Sequence, residues 1–385
     1  MKNRMKRVTA LLTAGLMAVG LLAGCGGSSS GSTAPAASTA ASTAASTAEA
    51  ASTAEAAPES QAAEPAAEKG SGSITVYTAF PEAEVEYYFQ QFEKQTGIKC
   101  NYIRLSAGEM LTRVAAEKDN PQASLMLGGS TDNYIAAVNQ DLLDEYQSPA
   151  LADTPDNLKD STGHWNPIYV GCIAFACNKE WFENNNYEYP QSWDELLDPK
   201  FANEVIMAHP STSGTAYTVL ATLVQMMGED AAFDYIQKLT QNVIQYTKSG
   251  AAAPNAVAQG EAAIAITFSH DGLQPTAEGF PIELSFPTDG TGYEVGAAAL
   301  IKGGPAEETE NAKKFIDWIC GTEGQNCYAE NNSFRVPTNS KANVAEGLVT
   351  LDSVNCIEYD AMWAAENKKD LCGKFEEKII SAPTE

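Results

Sequence analysis

Val205-Ile-Met-Ala-His-Pro-Ser-Thr-Ser-Gly-Thr-Ala-Tyr217 changes its periodicity in the middle. Val205-Ile-Met-Ala208 is a short apolar run of the kind a buried strand shows. From Tyr217 onward Leu220, Val224 and Met227 recur at three- and four-residue spacing, as on one face of a helix. Pro210-Ser-Thr-Ser-Gly-Thr215 lies between the two. Strand, small polar turn and helix in direct succession are the building unit of α/β folds. The turn also carries chemistry. The first N–H groups of a helix lack intrahelical partners and bear partial positive charge. Gly214 permits close backbone approach, and Ser213 and Thr215 add hydroxyls. Such a start can hold an anion. Read alone, it fits a plain capped helix equally well.

The alternation extends in both directions. Strands are expected at residues 74–78, 98–105, 123–127, 171–177, 262–267 and 298–302. Between them, helical stripes run through Val85, Tyr88, Phe89 and Phe92, through Met110, Leu111 and Val114, through Phe233, Ile236 and Leu239, and through Ala312, Phe315, Ile316 and Ile319. Ser192 and Glu195 make a capping box for a short helix that stops at Pro199. Ser106-Ala-Gly108 opens the helix of Met110, and Ser249-Gly250 precedes Ala251. These are two more turns of the helix-opening kind. The order is α/β.

The N-terminus reads as an export signal. Lys2, Arg4, Lys6 and Arg7 form a basic start, and residues 8–22 an apolar run short for a membrane span. Leu22-Ala23-Gly24-Cys25 then has lipobox pattern. Resemblance to bacterial lipoprotein signals implies removal of residues 1–24 and diacylation of the Cys25 thiol. The alternative is an ordinary secretory signal cut nearby. Residues 25–72 are built from Ala, Ser, Thr, Gly, Glu and Pro, with STA repeated. Such a stretch cannot offset its ordering entropy by burial, so a disordered tether is expected. The expected location is the outer face of the cytoplasmic membrane, with the bilayer reached through Cys25. A Gram-positive cell is the natural setting.

Composition narrows the function of the remainder, which is long enough for two lobes. The net charge is −26, and −30 once Lys2, Arg4, Lys6 and Arg7 are removed, so nucleic acid is excluded as a partner. Only Arg104, Arg113 and Arg335 remain as arginines beyond the signal. Without Cys25 there are seven cysteines, with no CxxC and no histidine at ligand spacing. They read as buried free thiols, with one or two disulfides as the alternative, and no cofactor and no metal site is expected. There is no Walker loop, HExxH or GxSxG. A hydrolase from Ser213, His270 and Asp271 is disfavoured, because adjacent His and Asp rarely orient as base and support. No enzyme is expected.

Eight stretches carry a resemblance in their order: SITVYTAF, QTGIKCNYIRLSAGEM, AEKDNPQASLMLGG, CNKEWF, YPQSWDELLDPKF, HPSTSGTAY, QYTKSGAAAP and AKKFIDWICGTEGQ. The chain resembles the type 2 periplasmic binding proteins of the ferric-iron and phosphonate transporter class. The resemblance implies two α/β lobes joined by crossing hinge strands, with ligand between them. Lobe 1 is expected from residues 73–172 and 294–385, lobe 2 from 173–293. It implies a monomeric solute-binding protein of an ABC importer, with a permease as partner and a small anionic ligand.

Phe268-Ser-His-Asp271 bears on the ligand class. Ferric-binding members place a tyrosine pair where Ser269 and His270 stand here, and further ligands where Pro81 and Gly129 stand. The His270-Asp271 pair with Glu294 is similar to the set of the hexose-phosphate-binding branch. The implied site puts phosphate on Ser106, Ser213, Gly214, Thr215 and Ser249, and sugar hydroxyls on His270, Asp271 and Glu294. Phe80, Trp165 and Phe268 are candidates to pack the ring. An aminoalkylphosphonate, a polyamine, ferric iron, or a ligand-sensing ectodomain are the alternatives.

Overall fold

The computed structural model describes residues 71–381. The signal, the Cys25 lipobox and most of the expected tether lie outside them. Among the described residues the strands are β1 (Ser73–Thr78), β2 (Lys99–Arg104), β3 (Leu125–Ser130), β4 (Asn166–Asn178), β5 (Val205–Ala208), β6 (Val243–Thr247), β7 (Ile264–Phe268), β8 (Ile282–Ser285), β9 (Tyr293–Leu300) and β10 (Val336–Pro337). The helices are α1 (Glu82–Thr96), α2 (Ala107–Ala116), α3 (Thr131–Asn139), α4 (Lys179–Asn185), α5 (Gly214–Met227), α6 (Glu229–Leu239), α7 (Ala252–Ala258), α8 (Ser269–Ala277), α9 (Thr309–Cys320), α10 (Thr322–Glu330) and α11 (Ala361–Phe375). Among the described residues no helix is long and apolar enough to cross a membrane.

The expected α/β architecture is present. One path of hydrogen-bonded strands runs β2-β1-β3-β9-β4-β7-β5-β6. β4 is its keel. All 13 of its residues are buried, as an unbroken run without polar alternation requires. Its first part, Asn166–Cys172, pairs antiparallel with β9. Its second part, Ile173–Asn178, pairs with β7 and β8. One strand thus belongs to both halves of the molecule. On one side Val76, Val85, Phe89, Leu127, Phe315 and Ile316 share a core, and Met110, Tyr134 and Ala297 pack the sheet's other face. On the other side Phe175, Trp193, Phe201, Tyr217, Leu220, Phe233 and Ile266 form the second core.

The C-terminal tail departs from expectation. Residues 294–385 are expected in lobe 1, but Ala364, Leu371, Phe375 and Ile379 join the core of lobe 2. The apolar face of α11 is buried there, and Tyr217 donates its hydroxyl to the Ala364 carbonyl. On that same face of α11 Lys368 lies over the Tyr217 ring and reaches lobe 1, its Nζ donating to Asp132 Oδ2 at 2.7 Å and to Asn133 Oδ1 at 2.6 Å. The seven cysteines of the described residues are all unpaired thiols.

Candidate functional site

The strand ends build the site. β1, β2 and β3 run parallel, as do β5, β6 and β7. The carboxyl ends of β1, β2, β3, β5 and β7 each lead directly into a helix. Those helices are α1, α2, α3, α5 and α8, with N-cap residues Pro81, Ser106, Ser130, Ser213 and Phe268. All five N-caps line one cleft between the lobes. A crevice outside strand carboxyl ends is where α/β sheets bind ligands. Here it also gathers five helix starts, whose first N–H groups lack intrahelical partners and whose ends are positive.

The lobes meet at the rim of this cleft. Gly108 N–H of α2 donates to the Thr212 carbonyl at 3.2 Å. Lys248 Nζ pairs with Glu109 Oε1 at 2.6 Å, and Arg104 donates to Ser249 Oγ at 3.3 Å. The approach is close enough to require glycine. A Cβ at Gly108 would lie 2.9 Å from the carbonyl oxygens of Ser211 and Thr212, and one at Gly214 3.0 Å from Ser130 Oγ. The space between the walls is about 420 Å³, its mouth included.

The floor is a buried charge cluster. His270 Nε2 lies 3.6 Å from Asp271 Oδ1 and 3.5 Å from Glu294 Oε1. Both distances exceed those of strong hydrogen bonds, so these groups keep bonding capacity. The imidazole stacks on Phe268 and meets Tyr169 edge-on. Its Nδ1 is buried without a partner and faces Gly171, where a Cβ would stand only 2.3 Å away. Arg335 is clasped by Glu84, with Nε at 2.8 Å from Oε2 and an Nη at 3.2 Å from Oε1. That guanidinium also reaches Asp271 Oδ1 at 3.4 Å and lies over the rings of Phe80 and Tyr169. Burial pushes Glu294 up to about 8 and Asp271 up to about 6, with Arg335 opposing both shifts. Burial lowers His270 well below its ordinary value, helped by Arg335, so its ring is neutral.

All eight ligand-site residues read from the sequence, Ser106, Ser213, Gly214, Thr215, Ser249, His270, Asp271 and Glu294, line this cleft. Two hydroxyls already have local work. Ser106 Oγ donates to Glu109 Oε2 at 2.9 Å, and Ser213 Oγ accepts from Ala216 N–H at 3.3 Å. Their helices therefore offer backbone N–H groups more than hydroxyls. Pro81, Gly129 and His270 also face the cleft, whereas Ser269 turns to the Cys172 thiol at 3.7 Å. Of the ring candidates Phe268 lines the cleft, Phe80 lies under Arg335, and Trp165 packs in the lobe 1 core away from it. Sequence reasoning missed Arg335, Arg104 and Ser130. The signal available was that two of the three arginines beyond the signal peptide region, in a strongly acidic chain, had to be held for a reason.

Comparisons with known proteins bear on this geometry. A profile described as bacterial extracellular solute-binding protein matches residues 129–363. An uncharacterised Haemophilus influenzae protein is 34% identical over 316 residues, 80% of this chain and 91% of its own. The structure of the periplasmic binding protein AfuA from Actinobacillus pleuropneumoniae, with exogenous fructose-6-phosphate bound, is 33% identical. It superposes with a TM-score of 0.78 and covers 81% of this chain and 100% of its own. A Salmonella typhimurium relative, provisionally named a 2-aminoethylphosphonate-binding periplasmic protein, is 25% identical over 67% of this chain and 76% of its own.

Proposed function

We propose a ligand for a chain that belongs to the bacterial extracellular solute-binding protein family: a phosphorylated sugar, captured in the interlobe cleft for delivery to an ABC permease. The observation that carries this is a single cleft with two chemistries. Helix starts, Arg104 and Arg335 supply positive potential, and His270, Asp271 and Glu294 supply neutral and acidic groups for hydroxyls. A dianion is stabilised by oriented N–H groups at helix starts. Ionised carboxylates accept from hydroxyls and repel phosphate, so the two ends of the ligand sort themselves. The AfuA structure supports the same class, since it holds fructose-6-phosphate at 33% identity. Lobe closure would shut the ligand from water and present one closed surface to the permease.

Titration calorimetry with fructose 6-phosphate, inorganic phosphate and 2-aminoethylphosphonate tests the reading. Fructose 6-phosphate is expected to bind tightest. Asp271→Ala is expected to weaken it at least tenfold while leaving inorganic phosphate nearly unchanged, as loss of one hydrogen bond to a charged group, about 1.5–3 kcal/mol, requires. Tighter binding of 2-aminoethylphosphonate would favour the second reading, in which Asp271 takes an ammonium group. That reading draws on the Salmonella relative. Ferric iron is disfavoured by Pro81, Gly129, Ser269 and His270 at the positions discussed above.

A further inference from the structure

The cleft holds one buried carboxylate without a cation. Glu84 and Asp271 share Arg335, and Asp132 has Lys368. Glu294 on β9 is 4% exposed, and its sole ion-pair contact is the His270 ring. From α8 it is faced by His270 and Asp271. From β4 it is faced by the Tyr169 hydroxyl, and from α3 by Asp132 and Tyr134. Arg335 approaches from the segment before β10, and Tyr359 from the C-terminal segment. Two of these neighbours are carboxylates, three are phenols, and the one cation is already committed to Glu84 and Asp271. An isolated charge in such a place is far more costly than a proton on the group.

We propose that Glu294 stands in the cleft as a neutral carboxylic acid and donates a hydrogen bond to an oxygen of the ligand, so that anion capture depends on a proton held by the protein. This rests on reading the cleft as an anion site. Charge counting agrees. With Glu294 neutral, Arg104 and Arg335 balance Glu84 and Asp271. With Glu294 ionised, the same wall carries a net negative charge against the incoming phosphate. Asp271, against Arg335, is the carboxylate that stays ionised at pH 7 and accepts from a hydroxyl. Neutral His270 can donate from Nε2 toward it, leaving Nδ1 as a bare lone pair against Gly171. The upward displacement of Glu294 to about 8 has the same sign. A bound dianion raises it further, so ligand binding takes up protons wherever free Glu294 is partly ionised.

The test has an arm that needs no ligand. Infrared difference spectra of ligand-free wild type against Glu294→Gln at pH 7 should show a protonated-carboxyl stretch in wild type alone. Calorimetry with fructose 6-phosphate from pH 6.5 to 9.5 should show affinity flat up to about pH 8. Above that it should fall toward tenfold per unit, as loss of one proton requires. Glu294→Gln, which keeps an N–H donor, should lack that slope. If this variant does not fold, wild-type heats at pH 8.5 in buffers of different ionisation enthalpy should report net proton uptake. A missing carboxyl band, a slope shared by both proteins, or no proton uptake would overturn the proposal. If fructose 6-phosphate gives no heat at all, the sugar-phosphate reading falls, while the infrared arm still decides the protonation of Glu294.

Discussion

His270 shows how little tolerance the cleft has for single atoms. Its ring is held between Phe268 and Tyr169, and Gly171 leaves no gap behind it. Gly171→Ala would put a methyl carbon 2.3 Å from Nδ1. The ring must turn toward the ligand space, because both flanking aromatics are buried. Overpacking of this kind costs about 1–3 kcal/mol of stability, which urea unfolding would read. Calorimetry should show at least a tenfold loss of fructose 6-phosphate affinity. Glu294 carries a second residue-scale expectation. Its folded value of about 8 lies above the ordinary 4.5. A group raised in this way stabilises the fold fully below its unfolded value, and that stabilisation is lost as pH rises through the folded one. Between about pH 5 and 8, wild type should lose up to about 1.4 kcal/mol per unit relative to Glu294→Gln. Urea titrations of both proteins at pH 5.5, 7 and 8.5 would show it, and parallel curves would refute it.

Among the helices, α11 binds both lobes. Its apolar face lies on α5, and Lys368 crosses to the start of α3. Asp132 is 1% exposed there and its Oδ1 has no partner. Lys368→Met would leave a buried carboxylate without its cation, which costs about 3–5 kcal/mol. Urea unfolding should show a loss of that order, and Lys368→Met with Asp132→Asn should recover part of it. The element scale also explains what the sequence made legible. Helix starts after β2 and β5 announced themselves through Ser106 and Ser213-Gly214, and the ligand-facing end of β7 through His270-Asp271, because polar residues at strand ends have few other reasons to be there. The helix α8 was hidden, since Gly272 and Pro275 both break helical expectation. Strand β6 was hidden because Ile244 and Gln245 are exposed at its edge, which blurs the period. Arg335 was invisible for a different reason. Its partner Glu84 is 251 residues away, and no local pattern encodes a contact of that range.

At the scale of the molecule, Cys25 and Gly108 test the two ends of the transport reading. Cys25 lies outside the described residues, so anchoring stays a proposal from the lipobox. Cys25→Ala should release the protein from membranes or leave an uncleaved precursor, and unchanged palmitate labelling with membrane retention would count against it. Gly108 tests closure. Each lobe has its own core, and the rim contacts between α2 and residues 211–212 are backbone to backbone. Gly108 sits in the first turn of α2 with ordinary helical geometry. Alanine there suits the helix and should slightly stabilise lobe 1. The atoms nearest the new methyl would be backbone of the other lobe, two carbonyl oxygens at 2.9 Å. Backbone on both sides cannot yield as a side chain does. Gly108→Ala should therefore keep its unfolding free energy while binding fructose 6-phosphate at least tenfold more weakly, mainly through faster release. Small-angle scattering should show wild type contracting on ligand addition and the variant staying extended. Contraction of both proteins with equal affinity would mean that the rim contact does not limit closure.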